Sequence, residues 1–206
     1  MSQQSNLRAA EKWLATNDAR LAVVIKEHGE CTIKPHGDHY AELLDSIISQ
    51  QLSVKAASTI HGRVLDIFNG KTPTPEELIS ADTERLRTCG VSYAKISYMK
   101  DLAEHILDGR LDMNHISTLP NDDLVQQLTA VKGIGEWSAH MYMIFCLGRL
   151  DILPVGDLGV RKAAMLLYEL PELPKKDQLE ILSKKHHWEP YESVAAWYLW
   201  RSLKNT

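Results

Sequence analysis

Apolar residues recur at intervals of three and four along nearly the whole chain, and stretches that alternate apolar with polar are almost absent, so the sequence predicts an all-α fold. The pattern predicts helices over residues 5–28, 39–49, 53–68, 82–88, 92–108, 121–130, 136–147, 157–169, 175–185 and 190–203. One more is opened by Pro73 and Pro75, with Glu76 and Glu77 placing negative charge in its first turn. Turn residues separate them at Gly29, Pro35-His36-Gly37, Asn69-Gly70 and Pro171 to Pro174. Ser53 and Asn121 stand where side-chain caps are expected.

The segment 121–147 holds the most informative break. Leu124, Leu128 and Val131 form one apolar stripe; the next predicted helix starts near Glu136 and carries Trp137, Met141, Ile144 and Phe145 on one face. Between them lies Val131-Lys132-Gly133-Ile134-Gly135, where two glycines allow positive backbone dihedrals and leave the N–H groups unobstructed. The first N–H groups of the following helix lack partners inside it, so a phosphate oxygen is a favourable guest. The pattern is a helix-hairpin-helix, which holds a DNA backbone through main-chain donors. A plain αα-hairpin with a glycine turn in a helical core fits the same residues.

At 206 residues with 44% apolar content, the chain can bury a substantial core as one domain or two closely packed lobes. No apolar run approaches the roughly eighteen residues of a membrane span and no signal segment is evident, so an intracellular, DNA-associated protein without membrane contact is expected. Cys31, Cys89 and Cys146 are odd in number and widely spaced, and read as reduced thiols. The histidines make no metal-ligand spacing with them, and no catalytic metal is expected. A net charge of −4 argues against binding nucleic acid through bulk charge. Residues 128–165 are less acidic, setting Lys132, Arg149, Arg161 and Lys162 against Glu136, Asp151 and Asp157.

Four segments, in this order and spacing, resemble the alkylbase (3-methyladenine) DNA glycosylases of the helix-hairpin-helix (HhH-GPD) superfamily. They are Ile47-Ile48-Ser49-Gln50-Gln51-Leu52-Ser53, Val131 through Ala139, Leu153-Pro154-Val155-Gly156-Asp157-Leu158-Gly159-Val160-Arg161, and Trp188-Glu189-Pro190 with Trp197-Tyr198-Leu199-Trp200. The resemblance covers residues 36–203. It implies a two-lobed helical glycosylase unit with the DNA and base cleft between lobes and no N-terminal β domain. The expected lobes are residues 38–150, including the helix-hairpin-helix 121–147, and residues 1–37 with 151–206. The four-cysteine cluster by which some relatives hold an iron–sulfur centre is missing.

Asp157 follows a proline and a glycine and begins an apolar helical pattern, so by itself it fits a helix cap. The resemblance implies that it is also the catalytic carboxylate. Breaking the bond between base and deoxyribose builds positive charge on the sugar. A fixed, ionised carboxylate stabilises that charge and can orient or deprotonate the attacking water. In bifunctional relatives a lysine stands two residues after the second hairpin glycine; here that place is Trp137, which implies a monofunctional enzyme.

Of five tryptophans and seven tyrosines, eight stand late in the chain, at Trp137, Tyr142, Tyr168, Trp188, Tyr191, Trp197, Tyr198 and Trp200. A glycosylase holds its rotated base by stacking, and a cationic alkylated base gains further from aromatic electron density. By resemblance Trp137, Met141 and Trp200 line the base pocket, with Met141 standing where a known relative has tyrosine; Tyr168, Trp188 and Trp197 read as core. Gln51, with Leu52 and Ser53 beside it, matches the loop that fills the gap left by the flipped nucleotide, glutamine replacing a leucine wedge. Lys132, Gly133, Gly135 and Ser138 are the expected phosphate contacts. The main-chain carbonyls of Thr129, Val131 and Ile134 are those with which the family holds a structural sodium or potassium ion; no other cofactor is expected.

These observations predict a monomeric, monofunctional glycosylase acting on alkylated purines in double-stranded DNA. A non-catalytic helix-hairpin-helix damage-binding protein and a helical scaffold that meets protein stay open. A glycosylase for oxidised or mismatched bases is disfavoured by Trp137 and the missing cysteines.

Overall fold

The pattern that runs unbroken through residues 5–28 is two helices, not one. In the computed structural model, which describes residues 2–203, α1 (Gln3–Asn17) stops and α2 (Ala19–His28) starts at Asp18. The Asp18 carboxylate accepts the N–H groups of Arg20 at 3.0 Å and Leu21 at 3.1 Å, a side-chain cap that competes with helix continuation. Leu7, Ala10 and Leu14 are buried before the break, Leu21 and Val24 after it. Apolar spacing survives the interruption and cannot reveal it.

Elsewhere the helix starts fall close to expectation. α3 (His39–Ser49) begins at Asp38 and α4 (Val54–Ile67) at Ser53, whose hydroxyl oxygen accepts the Ala56 N–H at 3.3 Å. α5 (Pro75–Ser80) opens with a reciprocal pair: Glu77 N–H donates to Thr74 Oγ1, and Thr74 N–H to the Glu77 carboxylate. α6 (Thr83–Thr88) and α7 (Tyr93–Leu107) start from Asp82 and Ser92. α8 (Asn121–Ala130) differs, because Asn121 is already its first helical residue and Pro120 holds the cap position. Proline fixes φ without needing an N–H partner there, and its carbonyl takes the first bond, from Leu124 N–H at 3.0 Å.

The predicted helix 136–147 is also composite. α9 (Glu136–Met141) runs into a π-helical turn, Tyr142–Cys146, in which Leu147 N–H reaches the Tyr142 carbonyl at 3.1 Å. α10 (Leu158–Leu167), α11 (Lys176–Lys185) and α12 (Glu192–Ser202) complete the order, and no strand occurs among the described residues. No helix among them is long and apolar enough to cross a membrane.

Contacts divide the chain into two compact units, residues 37–139 and residues 1–36 with 140–206. Residues 140–150, expected with the central segment, thus belong with the chain ends. The reason is hydrogen bonding that periodicity does not encode. The Cys146 carbonyl accepts His36 N–H at 2.8 Å, the Gly148 carbonyl accepts the Gln3 amide at 3.0 Å, and the Leu150 carbonyl accepts Ser193 N–H at 2.9 Å. In the central unit α7 packs against α5, α3 and α6, burying Ile96, Met99, Leu102 and Ala103. In the other unit α12 packs against α10, α2 and α1 and is buried continuously from Ser193 to Leu199, apolar on nearly every side as a core helix is. All three cysteines are buried and outside any disulfide, and burial pushes the Cys31 thiol up to about 11.

Candidate functional site

In the central unit the hairpin between α8 and α9 is closed by Ile134 N–H donating to the Val131 carbonyl at 3.1 Å, with Ile134 buried beneath. Its two glycines differ, and only one uses the positive dihedral that glycine allows. Gly133 has φ +84°, and a Cβ there would lie 2.2 Å from the Tyr98 ring, so the position admits glycine alone. Gly135 has no positive φ, and a Cβ would meet nothing within 4 Å. Its carbonyl accepts Ala139 N–H at 3.0 Å and so starts α9. What the missing side chain leaves open at Gly135 is the outer surface beside the helix start.

Lys132 was expected to reach phosphate, but its charge is matched within the unit. Its ammonium lies 2.8 Å from one Asp101 oxygen, and its N–H donates to the other at 2.8 Å. Burial alone would push the Asp101 carboxyl up; the two Lys132 bonds outweigh it and hold Asp101 below its ordinary value. The acid that engages Lys132 sits 31 residues earlier, on α7.

Gln51 and Leu52 are exposed, in a turn between α3 and α4 closed by Leu52 N–H on the Ser49 carbonyl at 3.1 Å. Gln51 has φ +57°, a left-handed conformation that non-glycine residues adopt at a cost of about 1 kcal/mol or more. The Ser53 oxygen, assigned to DNA, is also the α4 cap. Of the other residues expected at DNA or base, Ser138 is half-buried and Trp137 is 51% exposed. The Val131 carbonyl, expected at a cation with those of Thr129 and Ile134, accepts the closing bond of the hairpin.

The terminal unit holds Asp157. Val155 N–H on the Leu153 carbonyl (2.8 Å) and Asp157 N–H on the Pro154 carbonyl (2.9 Å) turn the chain into α10. One oxygen of Asp157 then accepts the Val160 N–H at 2.8 Å and the Trp200 indole N–H at 2.9 Å. Capping is real, therefore, and does not exhaust the residue's contacts. Gly159 leaves room here: a Cβ would lie 3.0 Å from that carboxylate oxygen and 3.2 Å from the Trp200 ring, so these neighbours would have to give way slightly. Asp157 is 8% exposed, while Trp200 is half-exposed and Leu158 is open to solvent.

Phe145 is the residue that sequence reasoning misplaced. Grouped with Ile144 on one helical face, it is instead 38% exposed and lies against Trp200 with ring centroids 5.6 Å apart. The π-turn explains the difference. A widened turn rotates successive side chains by less than an α-helical turn does, leaving Tyr142, Met143, Ile144 and Cys146 buried and Phe145 outside. Met141, just before the turn, is half-buried. Trp188, Trp197 and Tyr168 are core residues, as expected. In this unit Asp157 thus accepts the indole N–H of Trp200, and the accessible ring of Phe145 lies against that indole in turn.

Comparison with known proteins bears on both places. The model of the HhH-GPD superfamily of base excision DNA repair proteins matches residues 44–188. The alkylbase DNA glycosidase-like protein mag2 of Schizosaccharomyces pombe is 34% identical, over 99% of this chain and 97% of its own. A crystal structure of a DNA-3-methyladenine glycosidase from Bacillus halodurans aligns with TM-score 0.86 at 41% identity, covering 94% of this chain and 88% of that one. The 3-methyladenine DNA glycosylase of Schizosaccharomyces pombe in complex with abasic DNA aligns with TM-score 0.81 at 36% identity, covering 95% and 97%.

Proposed function

The chain belongs to the HhH-GPD superfamily of base excision DNA repair proteins, and from that premise we propose that it is a monofunctional DNA glycosylase removing alkylated purines such as 3-methyladenine and 7-methylguanine from double-stranded DNA. The observation that carries the reading is Asp157, a carboxylate oriented by the Val160 and Trp200 N–H donors, with the half-exposed Trp200 ring lying against the accessible ring of Phe145.

An alkylated purine already carries the positive charge that departure requires, so its release needs no general acid. It stacks on aromatic faces, here Trp200 and Phe145, with Trp137 and Met141 assigned to the base from the family resemblance. As the bond to C1′ lengthens, charge passes to the sugar; the Asp157 carboxylate stabilises the oxocarbenium and orients water for attack. The backbone beside the lesion is held by main-chain N–H groups of the hairpin, where Gly135 leaves its outer surface clear, and by Ser138. Gln51 and Leu52 fill the vacated place in the stack. The carbonyls of Thr129, Val131 and Ile134 would hold a monovalent cation, whose charge would strengthen phosphate binding. The protein works as a monomer in this reading.

Absence of strand cleavage follows from chemistry at the lysine position of bifunctional relatives, since the Trp137 indole cannot form a Schiff base. One amine approaches the Asp157 turn from elsewhere: the Lys176 ammonium lies 3.9 Å from where a Gly156 Cβ would stand. Borohydride trapping separates the cases. No covalent adduct is expected, and an adduct lost in Lys176→Met would assign lyase chemistry to that lysine.

The test of the main reading uses duplexes carrying single 3-methyladenine or 7-methylguanine residues. Release of free base with an intact, alkali-labile strand is expected. Tight lesion binding without release of either base would overturn catalysis and favour a damage-binding protein.

A further inference from the structure

α7 presents three side chains at intervals of three, Lys95, Tyr98 and Asp101, and each meets a segment assigned above to DNA. The Lys95 ammonium donates to the carbonyls of Ile48 at 2.8 Å and Gln50 at 2.6 Å, satisfying the last acceptors of α3 beside the Gln51 turn. The Tyr98 ring fills the space under Gly133. Asp101 grips Lys132 through both side chain and main chain. Between the two segments runs one direct bond: the Gln50 side-chain amide donates to the Gly133 carbonyl at 2.8 Å.

We propose that Gln50 is a positioning residue that ties the intercalating turn to the phosphate-binding hairpin, so that contact of the hairpin with a DNA backbone sets the angle at which Gln51 and Leu52 enter the stack. The proposal rests on the DNA reading above. Gln51 is the exposed tip, held in a left-handed conformation, and Gln50 is the residue before it, fixed at its carbonyl by Lys95 and at its amide by Gly133. Gly133 in turn stands in a dihedral region and a space that only glycine fits. A turn restrained at its Gln50 end and a hairpin restrained from below share this bond across 83 residues of sequence. Its loss frees the turn to pivot about Lys95 without disturbing any buried side chain.

Two full-length variants separate this role from a general one. Gln50→Met keeps the length and removes the donor; Gln50→Lys keeps a donor able to reach the same carbonyl. In the free protein, hydrogen exchange of the 132–136 amides is expected to quicken about fivefold in Gln50→Met, the effect of one exposed hydrogen bond, with the thermal midpoint held within about 2 °C and slow exchange retained in Gln50→Lys. Single-turnover base release from an intact duplex should fall by a similar factor, about fivefold. Release from a duplex lacking the nucleotide opposite the lesion, where no wedge is needed, should change less than about twofold.

Unchanged exchange in Gln50→Met would overturn the tie. Faster exchange with undiminished release from intact duplex, or an equal loss on both substrates, would overturn its role in positioning the wedge. A parent protein that binds lesions but releases no base would instead refute the glycosylase reading, and the exchange measurement would still decide whether Gln50 joins the two segments.

Discussion

Asp18 and Asp157 begin as the same device. Each caps the start of a helix, and each accepts the indole N–H of a tryptophan at 2.9 Å, from Trp188 and Trp200 respectively. Around Asp18 the shell is closed: the Tyr168 hydroxyl donates to the oxygen that Trp188 meets, the Arg20 and Leu21 N–H groups take the other, and carboxylate and indole are 1% and 0% exposed. Around Asp157 the partner ring is half-exposed and lies tilted against an accessible phenylalanine. A buried carboxylate surrounded on all sides joins α2 to the segments carrying Tyr168 and Trp188. Asp157 is held by the same kinds of donor, but its indole partner is one that solvent still reaches.

The sharpest way to break this comparison is to neutralise each acid in turn. Asp157→Asn should lower single-turnover base release about a thousandfold, while the thermal midpoint moves by no more than about 2 °C, because asparagine caps a helix as well as aspartate does. Asp18→Asn should do the reverse. Replacing an acceptor met by four donors is expected to cost about 3 kcal/mol of stability and about 6–12 °C in midpoint for a chain of this size, with release below the transition changed less than about twofold.

A smaller effect is expected from Trp200→Phe, which keeps a ring for Phe145 and the base but removes the indole donor from Asp157. Release should fall about tenfold with little change in folding, whereas Trp188→Phe should register in the melting curve instead. Asp101 adds a third buried acid, engaged by a charge rather than by an indole. Since that acid already neutralises Lys132, Lys132→Met should reduce the salt dependence of DNA affinity by much less than the roughly 0.9 expected per phosphate contact. A drop near 0.9 in titrations over a salt series would mean that the ammonium exchanges Asp101 for DNA.

What could be read beforehand depended on how local the cause was. The all-helical architecture, the Ser53 cap, the hairpin and the start of α10 at Asp157 are set by neighbouring residues, so spacing and turn chemistry reveal them. Asp18 escaped because its carboxylate breaks a helix without breaking the apolar period. Phe145 escaped because a π-turn changes the angle between side chains, and nothing in its residue types announces the wider turn. Lys132 was expected at phosphate and Gln50 was given no role of its own, since Asp101 and Gly133, which engage them, lie 31 and 83 residues away. The α7 stripe that organises the hairpin is visible in sequence as Lys95, Tyr98 and Asp101 at intervals of three, yet such a stripe resembles any solvated helix face until its contacts are known.

The most direct measurement compares two abasic-site analogues in the same duplex, one with a neutral tetrahydrofuran and one with a cationic pyrrolidine in place of the sugar. If the Asp157 carboxylate stabilises positive charge on the sugar, the parent protein should bind the cationic analogue more tightly by about tenfold or more, and Asp157→Asn should bind both alike. An undiminished preference for the cation in Asp157→Asn would contradict the account, because the anion that faces the breaking bond would then lie elsewhere.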